Sequence, residues 1–116
     1  MSRRELSEQS FLVLSALTRE PLHGYRITQE VEELSGGRVR LRVGTLYGAL
    51  DRLAGDGLIE LDREEILDGR LRRYYRLTDA GATLLADEAR RLSENARIAT
   101  ERLGLRAFMP LPGGAA

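Results

Sequence analysis

The chain of 116 residues contains no cysteine, no lysine, no tryptophan and one histidine, His23. Without cysteine there is no disulfide framework, no thiolate metal site and no cysteine nucleophile. A single histidine excludes a histidine-based metal cluster within one chain. No apolar run approaches the roughly 18 residues of a membrane span. The N-terminal MSRRELSEQS has no apolar h-region, so a cytoplasmic protein with no membrane partner is expected. A P-loop and a glycine-rich dinucleotide fingerprint are both missing, so no cofactor and no enzyme activity are expected.

What is present is charge, unevenly placed. The formal net charge is zero, from 18 basic and 18 acidic residues, and every basic residue is arginine. Between residues 36 and 54 stand Arg38, Arg40, Arg42 and Arg52 against Asp51 alone. Between 69 and 78 stand Arg70, Arg72, Arg73 and Arg76 with no acid. The intervening 55–68 holds six acids against Arg63. Two short basic segments on a neutral chain point to a local anionic partner. The planar arginine fork suits phosphate and guanine, although arginine-only usage also reflects genome composition.

The length points to one domain, and no internal repeat is visible. Leu6 to Leu17 reads as a helix apolar nearly all round, buried on more than one side, with Phe11 and Leu14 placed against a partner chain. Pro21 breaks it. A second helix is expected over Leu22 to Leu34, with Tyr25, Ile27, Val31 and Leu34 toward the core. Gly36-Gly37 stops it. Arg38 to Arg42 alternates basic and apolar, as a short half-exposed strand does. In the next helix Leu46, Leu50 and Leu53 repeat at i, i+4 and i+7, and Thr45, Gly48, Asp51 and Arg52 fall on the opposite face. Gly55-Asp56-Gly57 ends it. A hairpin follows, turning at Asp68-Gly69, where both residues tolerate positive φ. Its second strand places Arg73, Tyr75 and Leu77 toward the core and Arg72, Tyr74 and Arg76 toward solvent or ligand. Thr78 is a suitable N-cap for a last helix reaching about Leu103. There Leu85, Ala89, Leu92, Ala96, Ala99 and Leu103 step by four and three, a seven-residue seam of the coiled-coil kind that predicts a homodimer. Packing on the first helix is the competing explanation of that seam.

This order is mainly α (α+β): a winged helix-turn-helix with a long C-terminal dimerisation helix. The expected segments are 1–78 for the winged domain, 79–104 for the dimerisation helix and 105–116 for a loosely ordered tail. Helix-turn-helix proteins read base edges from the N-terminal half of the exposed third helix. That assigns Thr45, Gly48 and Asp51 to a double-stranded DNA operator, with Arg42 and Arg52 reaching phosphate or guanine. Arg70 and Arg72 on the wing suit phosphate or a narrow minor groove. His23 reads as a helix-start or packing residue. The competing reading of the same surface is a winged helix that binds acidic protein partners without sequence-specific DNA binding.

Three segments together, LHGYRI (22–27), GTLYGALDRLAGDGLIE (44–60) and DGRLRRYYRLTDAG (68–81), resemble the PadR-like winged-helix transcriptional regulators. The resemblance implies a dimeric regulator, usually a repressor, on a near-palindromic operator. It implies a phosphate contact from Tyr47 and a secondary one from Tyr25. A small-molecule effector near the dimer interface is a further implied partner. Members often carry proline where Gly48 stands, and those that stack planar drugs use a tryptophan on the last helix. Residues 85–103 here contain no aromatic.

Overall fold

A computed structural model describes residues 6–105. The elements are α1 (Glu8–Ala16), β1 (Leu22–His23), α2 (Gly24–Leu34), α3 (Val43–Gly55), β2 (Ile59–Leu67), β3 (Arg70–Leu77) and α4 (Asp79–Arg102). The chain divides into two compact units, residues 1–86 and 87–116. The expected loose tail lies, beyond Leu105, outside the described residues.

In the first unit, Ser7 starts α1 by accepting the Ser10 amide at 3.1 Å, leaving one fewer orphan donor in the first turn. Val13 and Leu14 of this helix and Leu17 at its C-cap meet Ile27 and Val31 of α2 and Leu46, Leu50 and Leu53 of α3, closed off by Val39, Leu58 and Ile59. The i, i+4, i+7 stripe of α3 is therefore the core stripe. Leu14 has no exposed area within its own chain. A side chain so enclosed offers nothing to a second copy, which corrects its placement at a dimer surface. Phe11 is half-buried. In α2 the apolar face is narrower than expected. Ile27 and Val31 are fully buried, but Tyr25 and Leu34 are 70% and 51% exposed.

The strand expected over Arg38–Arg42 does not form. No sheet edge lies beside it, and the alternation serves another purpose. Val39 is buried and Leu41 half-buried, while Arg38 pairs with Glu8 and Arg40 with Glu32. The Val39 amide donates to Ser35 Oγ at 2.9 Å instead of to a neighbouring strand. The third strand comes from Leu22–His23, expected as the start of a helix. It pairs antiparallel with β3, Leu22 opposite Tyr75 and His23 opposite Tyr74, so the sheet order is β1-β3-β2. The β2–β3 hairpin turns at Asp68 (φ 53°) and Gly69 (φ 75°), the two consecutive positive values of a tight hairpin turn. A bulge between Leu61 and Arg63 shifts the register. Tyr75 and Leu77 pack on the core as expected, whereas Arg73 is exposed.

Thr78 joins the wing to α4. Its hydroxyl accepts the Gly81 amide at 3.0 Å and donates to the Gly57 carbonyl at 2.7 Å. In the second unit, α4 continues to Arg102, and Gly104 (φ 72°) follows. Ala89, Leu92, Ala96, Ala99 and Leu103 are exposed in the single chain. Leu85, in the first unit, is instead half-buried against the core. Glu88 is 1% exposed and receives two hydrogen bonds from Arg91, both 3.0 Å.

Candidate nucleic-acid interface

The acidic stretch that precedes the wing is mostly consumed by cross-strand pairing. Glu60 stands opposite Arg76 and pairs with it, and Glu64 stands opposite Arg73 and accepts its Nε at 2.9 Å. Arg63 is held by Asp62 at 3.1 Å and Glu65 at 3.2 Å. That hydrogen bond from Arg63 also holds the Glu65 carboxyl below the usual carboxylate range. Arg63 further lies 3.9 Å over the Tyr74 ring. The acids of 60–65 thus hold Arg63, Arg73 and Arg76 in salt bridges, whereas Arg72, opposite Glu65, feels that carboxylate only at longer range. Among the described residues no salt bridge holds Arg70, Arg72, Arg42 or Arg52.

An open cleft of about 440 Å³ gathers four of the residues singled out from the sequence: Tyr25, Tyr47, Arg70 and Arg72. His23, Gly24, Leu71 and Arg73 complete its lining. The cleft exists because β1 pairs with β3 only as far as Tyr74. Beyond that point the chain turns into α2, leaving the 70–73 stretch of β3 to face the start of that helix. Tyr47, 45% exposed, reaches across from α3. A Cβ on Gly24 would stand 2.6 Å from its hydroxyl oxygen, so the missing side chain is what lets the tyrosine tip approach α2. Gly24 is not among the site residues expected from the sequence. A glycine between His23 and Tyr25 at a helix start was the available signal.

Arg42, Thr45, Asp51 and Arg52 are exposed on α3 or just before it, outside the lining of that cleft. Gly48 is half-buried, and a Cβ there would touch only the Arg52 guanidinium, at 3.7 Å. Helix α3 begins at Val43 after Arg42, with no side-chain cap hydrogen bond. Its first turn carries no acid that would repel phosphate. The arrangement is a helix face with polar and basic groups, next to a cleft with two tyrosines and two guanidinium groups that stand in no salt bridge among the described residues. It can hold phosphates and present donors to base edges. Among the described residues no cluster of three or more acidic, histidine or cysteine side chains is arranged to hold a metal. No described helix is long and apolar enough to cross a membrane.

The sequence pattern of the transcriptional regulator PadR-like family matches residues 13–87. Transcriptional regulator Rv3488 of Mycobacterium tuberculosis is 45% identical over 76 residues, covering 66% of this chain and 67% of that protein. A PadR family transcription regulator from Clostridium difficile R20291 has a similar structure, with a TM-score of 0.72 and 27% identity over 84% of this chain and all of that one. Bacillus subtilis PadR, solved in complex with operator DNA, shares the fold at a TM-score of 0.60 and 24% identity, covering 92% of this chain and 53% of that one.

Proposed function

Because the chain belongs to the PadR-like family of transcriptional regulators and is not an enzyme, we propose that it binds double-stranded operator DNA sequence-specifically, as a homodimer and as a repressor. The α3 face enters the major groove, where Thr45, Asp51 and Arg52 meet base edges. The wing and the cleft beside it take the backbone: Arg70 and Arg72 neutralise phosphates, and the Tyr25 and Tyr47 hydroxyls position them. A near-palindromic site with half-sites about 34 Å apart suits a two-fold dimer. The exposed seam of Ala89, Leu92, Ala96, Ala99 and Leu103 supports pairing through α4, since alanines allow close helix approach. The seam has no aromatic ring to stack a planar effector. Regulation takes place in the cytoplasm, where the operator is.

One observation carries the reading. Among the described residues the four arginines expected at DNA stand in no salt bridge, while their neighbours Arg38, Arg40, Arg63, Arg73 and Arg76 are all paired with acids. The test is a salt series by fluorescence anisotropy on the duplex upstream of the gene itself, against scrambled duplex. Arg72→Ala should reduce the slope of log affinity against log salt by about one. Arg76→Ala, already neutralised by Glu60, should leave it nearly unchanged. Equal slopes for both variants, or no preference over scrambled duplex, would defeat the proposal.

A further inference from the structure

The DNA contacts proposed above leave out the one imidazole of the cleft. His23 lines the cleft together with Tyr25, Tyr47, Arg70 and Arg72, and it is the only histidine in the chain. Its place on the wall is set by its neighbours. It pairs with Tyr74 in the sheet, and its ring meets the Tyr74 ring edge-on at 5.2 Å and 88°. It also stands at the N-cap of α2, yet its side chain makes no cap hydrogen bond. Among the described residues no hydrogen bond or ion pair engages its ring nitrogens. Its ring nitrogens are therefore left for a ligand, one donating while the imidazole is neutral and both once it is protonated, in a cleft whose other polar groups suit an anion.

We propose that His23 is a phosphate contact that takes up a proton as the DNA backbone enters the cleft, so that operator affinity rises as pH falls. This rests on the DNA reading above. Several charged groups face the imidazole: Arg72 from β3, Arg26 from α2 and Glu65 from β2, with Arg70 and Arg73 elsewhere around the cleft. In the free protein, burial first and then Arg72 and Arg26 hold its pKa below the ordinary histidine value, against Glu65. The free imidazole is neutral at pH 7 and takes part only as a neutral donor. A phosphate between the imidazole and the arginines reverses that field. The proton is then bound more tightly in the complex than in the free protein. Affinity is highest below the free-protein pKa and declines as pH rises through the value in the complex.

The experiment uses the full chain and a random-sequence duplex of about 30 base pairs at low salt, because backbone contacts do not depend on sequence. Wild-type affinity should fall roughly five- to tenfold between about pH 5.5 and about pH 8, a tenfold fall meaning that the complex holds the proton about ten times more tightly than the free protein does. His23→Gln, which does not titrate, should be flat across that range. The single imidazole signal in the proton NMR spectrum of the wild-type protein should titrate at higher pH with duplex than without. That reading survives even if the variant fails to fold. Identical pH dependence in wild type and variant, or an imidazole titration unmoved by duplex, overturns the inference and leaves DNA binding standing. No binding of any duplex at any pH overturns both.

Discussion

Two glycines with ordinary backbone angles occupy contacts of very different hardness, and replacing each by alanine separates fold from function. At Gly81 a Cβ would lie 2.1 Å from the Leu58 carbonyl oxygen and 2.8 Å from Leu77 Cδ1. An ordinary carbon–oxygen approach is about 3.3 Å, so backbone must move by about 1.2 Å at the junction of wing and α4. The Thr78 amide bond to the Leu58 carbonyl (3.1 Å) and the Thr78 cap bond to Gly81 (3.0 Å) both stand in that path. Overpacking of about 2 kcal/mol plus two weakened hydrogen bonds at about 1 kcal/mol each, less about 1 kcal/mol of helix propensity gained, leaves a loss of about 3 kcal/mol. For a domain of this size that lowers the melting temperature by about 10 °C. At Gly24 the obstacle is the Tyr47 hydroxyl at 2.6 Å, the far end of a side chain that can swing. Gly24→Ala should therefore move melting by less than about 3 °C but displace Tyr47 from the cleft and weaken duplex binding. Gly48→Ala, whose Cβ meets only Arg52 at 3.7 Å, should gain about 1 kcal/mol. Thermal unfolding by circular dichroism and duplex titration by anisotropy read these outcomes. The steric argument is refuted if Gly81→Ala melts at or above wild type, or if Gly24→Ala is the less stable of the two.

Thr45→Ala should change which operator bases are preferred while leaving affinity for random duplex within about twofold; a selection from randomised duplexes that returns the same consensus would count against it. Leu92→Arg should convert a dimer to a monomer, because pairing would bury an unpartnered charge in the seam, and light scattering that still finds a dimer would move the interface elsewhere. Leu14→Ala should lose about 2–4 kcal/mol in urea unfolding, as a fully enclosed core leucine, with no specific effect on dimerisation. Arg91→Ala should lose about 3 kcal/mol by removing the guanidinium that donates twice to the buried Glu88 carboxylate; a loss within the half kilocalorie typical of surface changes would show the pair to be dispensable.

Periodicity made the helices and the wing legible. The stripe Leu46, Leu50, Leu53, the Asp68-Gly69 turn and the Thr78 cap are local signals, and local geometry follows from them. The failures share one cause. Arg38–Arg42 has the two-residue period of a strand, but a strand needs a neighbour, and none lies there. Leu22–His23 reads as a helix start, yet it is captured by the free edge of β3. Glu88 is buried with no local signal in the sequence to announce it. The cleft was half legible. Its tyrosines and arginines stand out individually in the sequence, while Gly24 and His23 join them only through the sheet order β1-β3-β2.

The amino-acid order by itself determined the family, the succession of elements and which faces are apolar, because those depend on spacings within a few residues. Which arginines find an acidic partner was decided only in three dimensions. The pairing of Glu60 with Arg76 and of Glu64 with Arg73 depends on the hairpin register and its bulge. Charge complementarity acts over a few ångströms of space, so counting charge along the chain could not tell Arg73 and Arg76, which folding pairs with acids, from Arg70 and Arg72, which it leaves beside a cleft.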